Sequence, residues 1–160
     1  MPKLEKIDKR HSRGAEMITR LILEIFKVNG SLVTVGDRMA KPHGLSTARW
    51  QVLGAMALAH SPLTVAQIAR NMGLQRQSVQ RVVNQLEEDG MVVTEPNPRH
   101  LRAKLIVPTP KGKGTYARLI ATQARWAEAL SAGLPTNSLR AAFDVLNTLR
   151  AKLEHAKRSR

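Results

Sequence analysis

The stretch Leu63-Thr64-Val65-Ala66-Gln67-Ile68-Ala69-Arg70-Asn71-Met72-Gly73-Leu74-Gln75-Arg76-Gln77-Ser78-Val79-Gln80-Arg81-Val82-Val83-Asn84-Gln85-Leu86-Glu87-Glu88-Asp89-Gly90 decides how this chain folds. Its first half carries a helix start with a physical basis. The Thr64 hydroxyl is placed to accept the backbone N–H three residues on, while the Gln67 side chain accepts from the N–H of Thr64 itself. Leu63 and Ile68 flank that box at the two positions of a hydrophobic staple. Gly73 permits a sharp turn, and a second helix is predicted from about Arg76 to Asp89, stopped by Gly90. Along it Val79, Val82, Val83 and Leu86 recur at helical spacing and form the buried face. The opposite face carries no carboxylate before Glu87. Arg, Gln and Asn, which populate that face, are the side chains that pair bidentately with base edges. The pattern is a helix-turn-helix, and Gln75, Arg76, Gln77, Ser78, Gln80, Arg81 and Asn84 are its expected DNA-contacting residues.

A basic hairpin follows. Met91 to Glu95 and Ala103 to Val107 are predicted as two short strands joined by a loop with turn chemistry. This has the form of a wing. Arg99, His100, Arg102 and Lys104 are placed near its tip, within reach of phosphates or a minor groove. No acidic residue stands between Glu95 and the helix that follows.

Outside this region the chain is helical. Met17, Leu21, Ile25, Val28, Leu32, Val35 and Met39 are spaced by four or three, and the phase holds straight through Gly30. One helix from about Arg13 to Met39 is predicted, with a break at Gly30 as the alternative, since a mid-helix glycine costs about 1 kcal/mol. A second apolar row (Ile18, Ile22, Phe26, Val33) makes the face wider than a small monomer needs. Lys41-Pro42-His43-Gly44 is a breaker, and Ser46 or Thr47 caps a helix to about Ala59 that buries Trp50, Leu53 and Met56 or Ala57. Thr109-Pro110 opens another helix to about Ala132. The last helix repeats Leu139, Ala142, Leu146, Leu149 and Leu153, a helix–helix seam. Met17, Leu21, Ile25, Leu139, Leu146, Leu149 and Leu153 are the expected dimerisation residues.

The fold class expected is mainly α with a small β-hairpin wing: a winged helix-turn-helix plus a helical dimerisation layer from both termini. The expected divisions are a basic arm (1–12), a dimerisation helix (13–42), the DNA-binding domain (43–108) and C-terminal helices (109–160). At 160 residues the chain is long enough to bury a core. Formal net charge is +14, from 26 Lys+Arg against 12 Asp+Glu, which favours polyanionic partners, nucleic acid before anionic membrane. With no cysteine, disulfides and thiolate metal sites are excluded. The charged first ten residues contain no apolar core of a secretory signal, and no apolar run reaches membrane-spanning length, so the expected compartment is the cytoplasm with no membrane partner. His11, His43, His60, His100 and His155 lack metal-ligand spacing, and no nucleophile–base set, Walker loop or dinucleotide fingerprint is present. No cofactor, metal or enzymatic activity is expected.

The order of helices, helix-turn-helix and wing resembles the MarR family of bacterial transcription regulators, over about Arg13 to Leu153. Gly44-Leu-Ser-Thr-Ala-Arg-Trp-Gln-Val-Leu is similar to the family's entry into its second helix. Leu63-Thr64 through Gly90-Met-Val is close to its helix-turn-helix, and Arg102-Ala-Lys-Leu-Ile-Val-Pro-Thr-Pro-Lys-Gly resembles its wing exit. Two positions depart from the pattern. His100 stands where the family usually has an aspartate that helps hold the wing arginine, here Arg102. Gln75 stands where Ser or Thr often caps the recognition helix. The resemblance implies a homodimer on a pseudo-palindromic double-stranded operator, usually a repressor and often released by a small, frequently aromatic, acid. An effector pocket near His43, Trp50 and Met56 is the expected site, although core packing also accounts for those residues. The competing expectation is an effector-independent architectural protein with little sequence preference.

Overall fold

The computed structural model describes residues 12–159, so residues 1–11 of the expected basic arm, His11 among them, and Arg160 lie outside the described residues. The elements are α1 (Arg13–Ala40), a short 3-10 turn (Lys41–His43), α2 (Thr47–Ala57), β1 (Leu63–Thr64), α3 (Val65–Met72), α4 (Arg76–Glu88), β2 (Val92–Glu95), β3 (Leu105–Pro108), α5 (Pro110–Ser131) and α6 (Thr136–Arg158). This is the mainly helical winged fold that the sequence predicts. The chain divides into two compact units, Met1–Ala121 and Thr122–Arg160.

In the first unit, α1 runs unbroken through Gly30. Its stripe of apolar residues keeps helical phase on both sides of the glycine, which outweighs the local entropic penalty. Ser12 caps its start by accepting the Ala15 N–H. The junction with α2 is tight. Thr47 donates its backbone N–H to Asp37 Oδ1 at 2.7 Å and its hydroxyl to the Val33 carbonyl at 3.0 Å. A Cβ on Gly36 would stand 2.5 Å from Thr47 Oγ1, so the close approach depends on that glycine. The Thr47 backbone N–H foremost, and the Thr47 side chain after it, hold the Asp37 carboxyl below its ordinary value. Ser46, not Thr47, is the cap of α2, accepting from the Arg49 N–H.

The core is built from α2, α3, α4, the sheet and the first half of α5. Val52, Leu53, Ile68, Val79, Val83, Leu86, Val92 and Leu119 are its largest fully buried side chains. Trp50 is half-buried and packs against this cluster, Met56 lies within it, and Ala57 is exposed. The expected capping box at Thr64 and Gln67 is formed on both sides.

The sheet departs from the two strands expected. Leu63–Thr64 forms a third strand, giving the antiparallel order β1-β3-β2, with Leu63 opposite Ile106 and Thr64 opposite Leu105. Two residues show no alternation, so this strand exists only because β3 arrives beside it. Strand limits shift as well. Met91 belongs to the end of α4, where its N–H bonds to the Leu86 carbonyl and the Gly90 N–H to the Glu87 carbonyl, closing a Schellman motif on Gly90. Ala103 and Lys104 are drawn into the wing turn, and β3 starts at Leu105.

The second unit contains the end of α5 and all of α6. On α6, Leu139, Phe143, Leu146 and Leu153 are exposed, and Leu149 is half-buried. On α1, Phe26 is 68% and Met17 63% exposed, while Leu21 and Ile25 are half-buried. Each helix therefore carries an apolar row with exposed members. No helix of the described residues is long and apolar enough to cross a membrane.

Candidate nucleic-acid interface

α4 is anchored by one face and free on the other. Val79 and Leu86 are 0% exposed and Val83 1%, with Val82 half-buried beside them. All seven residues expected to contact DNA (Gln75, Arg76, Gln77, Ser78, Gln80, Arg81, Asn84) are exposed. At 3.6 residues per turn, Gln77, Arg81 and Asn84 fall most nearly opposite the buried row. Arg76 and Gln80 fall to one side and line a cleft of about 290 Å³ with Thr94, Arg102 and Lys104 of the wing. Glu87 is the one acidic residue lining that cleft. The seven positions therefore include an outward group and a wing-facing group, a distinction that spacing alone does not make. Gln80 Nε2 also donates to Asn84 Oδ1 at 2.8 Å, which ties the two amides together along the helix. Gln75 precedes the helix with no side-chain cap, so the first N–H groups of α4 have no capping side chain.

The wing brings Arg99, His100, Arg102 and Lys104 together as exposed cations or potential cations. No ion pair is formed by any of the four among the described residues. The loop does not depend on an acid at position 100. Asn97 closes it instead: its side-chain amide donates to the Ala103 carbonyl at 2.9 Å, and its Oδ1 accepts the Arg99 N–H at 3.0 Å. Two backbone bonds, His100 N–H to the Asn97 carbonyl and Ala103 N–H to the His100 carbonyl, complete the turn. In the sequence Asn97 is marked by generic turn chemistry alone.

The far end of α4 is fixed by charge. Arg49 Nη1 reaches Asp89 Oδ2 at 2.6 Å and also the Gly44 carbonyl at 3.3 Å. Lys111 donates to the Asp89 carbonyl at 2.6 Å, and the Thr109 hydroxyl to the Gly90 carbonyl at 2.8 Å. The end of the exposed helix is thereby connected both to the start of α2 and to the start of α5.

Of the three expected effector residues, Met56 lines a cavity. This cavity of about 470 Å³ in the first unit is lined by Leu53, Met56, His60, Ile106, Lys113 and Tyr116 among others, and not by His43 or Trp50. Burial pushes the Tyr116 hydroxyl above its ordinary value.

Comparison with known proteins agrees with this geometry. A family model described as "MarR family" matches residues 43–103. An uncharacterized protein of Mycobacterium tuberculosis, Rv2011c, is 37% identical over 99 residues, covering 62% of this chain and 68% of the relative. The transcriptional activatory protein BadR of Rhodopseudomonas palustris is 28% identical over 103 residues, covering 63% and 59%. Among solved structures, transcriptional regulator PA3341 superposes with a TM-score of 0.75 at 27% identity, over 84% of this chain and 98% of that one. This chain belongs to the MarR family of DNA-binding transcription regulators.

Proposed function

We propose that the chain acts as a homodimer on a pseudo-palindromic operator, reads base edges with α4, grips phosphates with the wing, and represses transcription by occupying promoter DNA in the cytoplasm. The observation that carries this is the exposed face of α4, where Arg, Gln and Asn stand opposite a row buried to within 1%. Gln77, Arg81 and Asn84 are the base-reading residues of the proposal, with Gln75, Arg76, Ser78 and Gln80 flanking them. Arg99, His100, Arg102 and Lys104 supply sequence-independent affinity. The apolar rows on α1 and α6, including Met17, Leu21, Ile25, Leu139, Leu146, Leu149 and Leu153, support the dimer, since exposed rows of this length mark an interface. Two reading helices related by a two-fold axis enter major grooves roughly 34 Å apart.

A small aromatic acid is the proposed effector. Apolar Leu53, Met56 and Ile106 with Lys113 and His60 offer an aromatic body a dry wall and its carboxylate a cation. Its action requires unequal affinity for the DNA-bound and released states. The likeness to an activatory protein supplies the second reading: the same operator contact activates where it lies upstream of the promoter. Selection of bound fragments from random duplex DNA by the purified protein, followed by a reporter carrying the selected site, tests the proposal. A palindromic consensus that survives excess random competitor, with reporter output falling, is expected. Equal binding to all sequences refutes it in favour of an architectural role.

A further inference from the structure

We propose that Leu101 is an apolar wedge that enters the minor groove and makes the protein prefer A·T pairs where the wing lands. The inference rests on the wing contact proposed above. Leu101 is 92% exposed, the barest large apolar side chain among the described residues, and it belongs to no part of the core. It sits at the tip of the β2–β3 loop with exposed Arg99, His100 and Arg102 around it. The turn that carries it is closed by the four hydrogen bonds of Asn97, Arg99, His100 and Ala103. A leucine is therefore presented on a formed turn, between cations that draw it toward the phosphates flanking a groove.

Leucine neither donates nor accepts, so it discriminates by exclusion. In the minor groove a G·C pair adds the guanine N2 amino donor, which A·T lacks. Covering that donor with methyl groups removes its water and supplies no acceptor. The same side chain lodges more readily at flexible pyrimidine–purine steps, which open under an apolar wedge.

The test uses the full chain and an operator obtained by selection, with the base pairs under the wing set to A·T, G·C or inosine·C. Inosine keeps the major-groove edge of guanine and lacks the amino group. Wild type should bind the A·T and inosine·C versions about tenfold more tightly than the G·C version. Leu101→Ala should bind all three alike, with an unchanged salt slope because no charge is lost, and Leu101→Met should restore the preference. Unchanged thermal unfolding of Leu101→Ala is expected, since the side chain touches no core. Arg102→Ala reports on the wing itself and should weaken binding to all three duplexes while lowering the salt slope. Retention of the A·T preference by Leu101→Ala, with binding weakened by Arg102→Ala, refutes the wedge and leaves the wing contact standing. Unaltered binding by both variants refutes the two together.

Discussion

Gly112→Ala puts the joint between the reading unit and α5 to a quantitative test, because two effects oppose each other there. In a helix interior, alanine is favoured over glycine by about 1 kcal/mol. Here the added Cβ would stand 2.0 Å from the backbone carbonyl oxygen of Met91, far inside the 3.4–4 Å of ordinary contact. That oxygen accepts the Thr109 N–H at 3.0 Å, and the neighbouring Gly90 carbonyl accepts the Thr109 hydroxyl at 2.8 Å. Neither atom is the free end of a side chain, so backbone must move. Overpacking of this kind costs about 1–3 kcal/mol, and a weakened hydrogen bond adds about 0.5–1.5 kcal/mol. Set against the gain in propensity, the net effect is a loss of about 2 kcal/mol. For a chain of this size the melting temperature should fall by about 4–8 °C. Circular dichroism melts and urea midpoints of the two proteins measure it. A melting temperature equal to or above wild type would mean that α5 does not seat on the end of α4 as described.

Three further outcomes follow from the same contacts. Gly30→Ala, where an added Cβ meets nothing within 4 Å, should raise stability by about 0.5–1 kcal/mol; a lower urea midpoint would contradict the open space around it. A double-mutant cycle with Arg49→Met and Asp89→Asn should give a coupling of about 0.5–1 kcal/mol, because the side chains are 22% and 42% exposed and partly screened. That coupling should shrink at about 1 M salt, and its persistence there would argue against an ion pair. Asp37, held below its ordinary pKa by Thr47, adds stability that is complete above the unfolded value and is lost as pH falls through the folded one. The urea-midpoint gap between wild type and Asp37→Ala should therefore be constant near neutrality and narrow below about pH 4; a gap that stays constant into strong acid removes Asp37 from the junction.

Local signals in the sequence carry a large part of this architecture. Thr64 and Gln67 lie three residues apart, so their capping box is visible in four letters, and the structure forms it in full. The buried row of α4 is equally legible, since Val79, Val83 and Leu86 repeat at the helical period. The α1 stripe similarly overrides Gly30. What escapes are features made by residues distant in the chain. Arg49 and Asp89 are 40 residues apart, and nothing near either one announces the pair. β1 consists of two residues given strand form by β3. Met91 reads as the start of a strand on propensity, yet its N–H is claimed by the closing turn of α4. His43 and Trp50 fall outside the cavity that Met56 lines, because its walls come from α2, β3 and α5 meeting in space. The sequence also shows His100 where an acid is expected, but not that Asn97 closes the loop without one.

On the proposed function, the outward face of α4 chooses the DNA sequence. Arg81 is its exposed cation nearest the middle of that face, opposite a row with 0–1% exposure at Val79, Val83 and Leu86. Parallel selection from random duplexes with wild type and Arg81→Ala decides whether it does. One position in each half-site should lose its preference, at a cost of about 1–3 kcal/mol for the wild-type site, while the other positions and the half-site spacing persist. An identical consensus and affinity from the two proteins would contradict it.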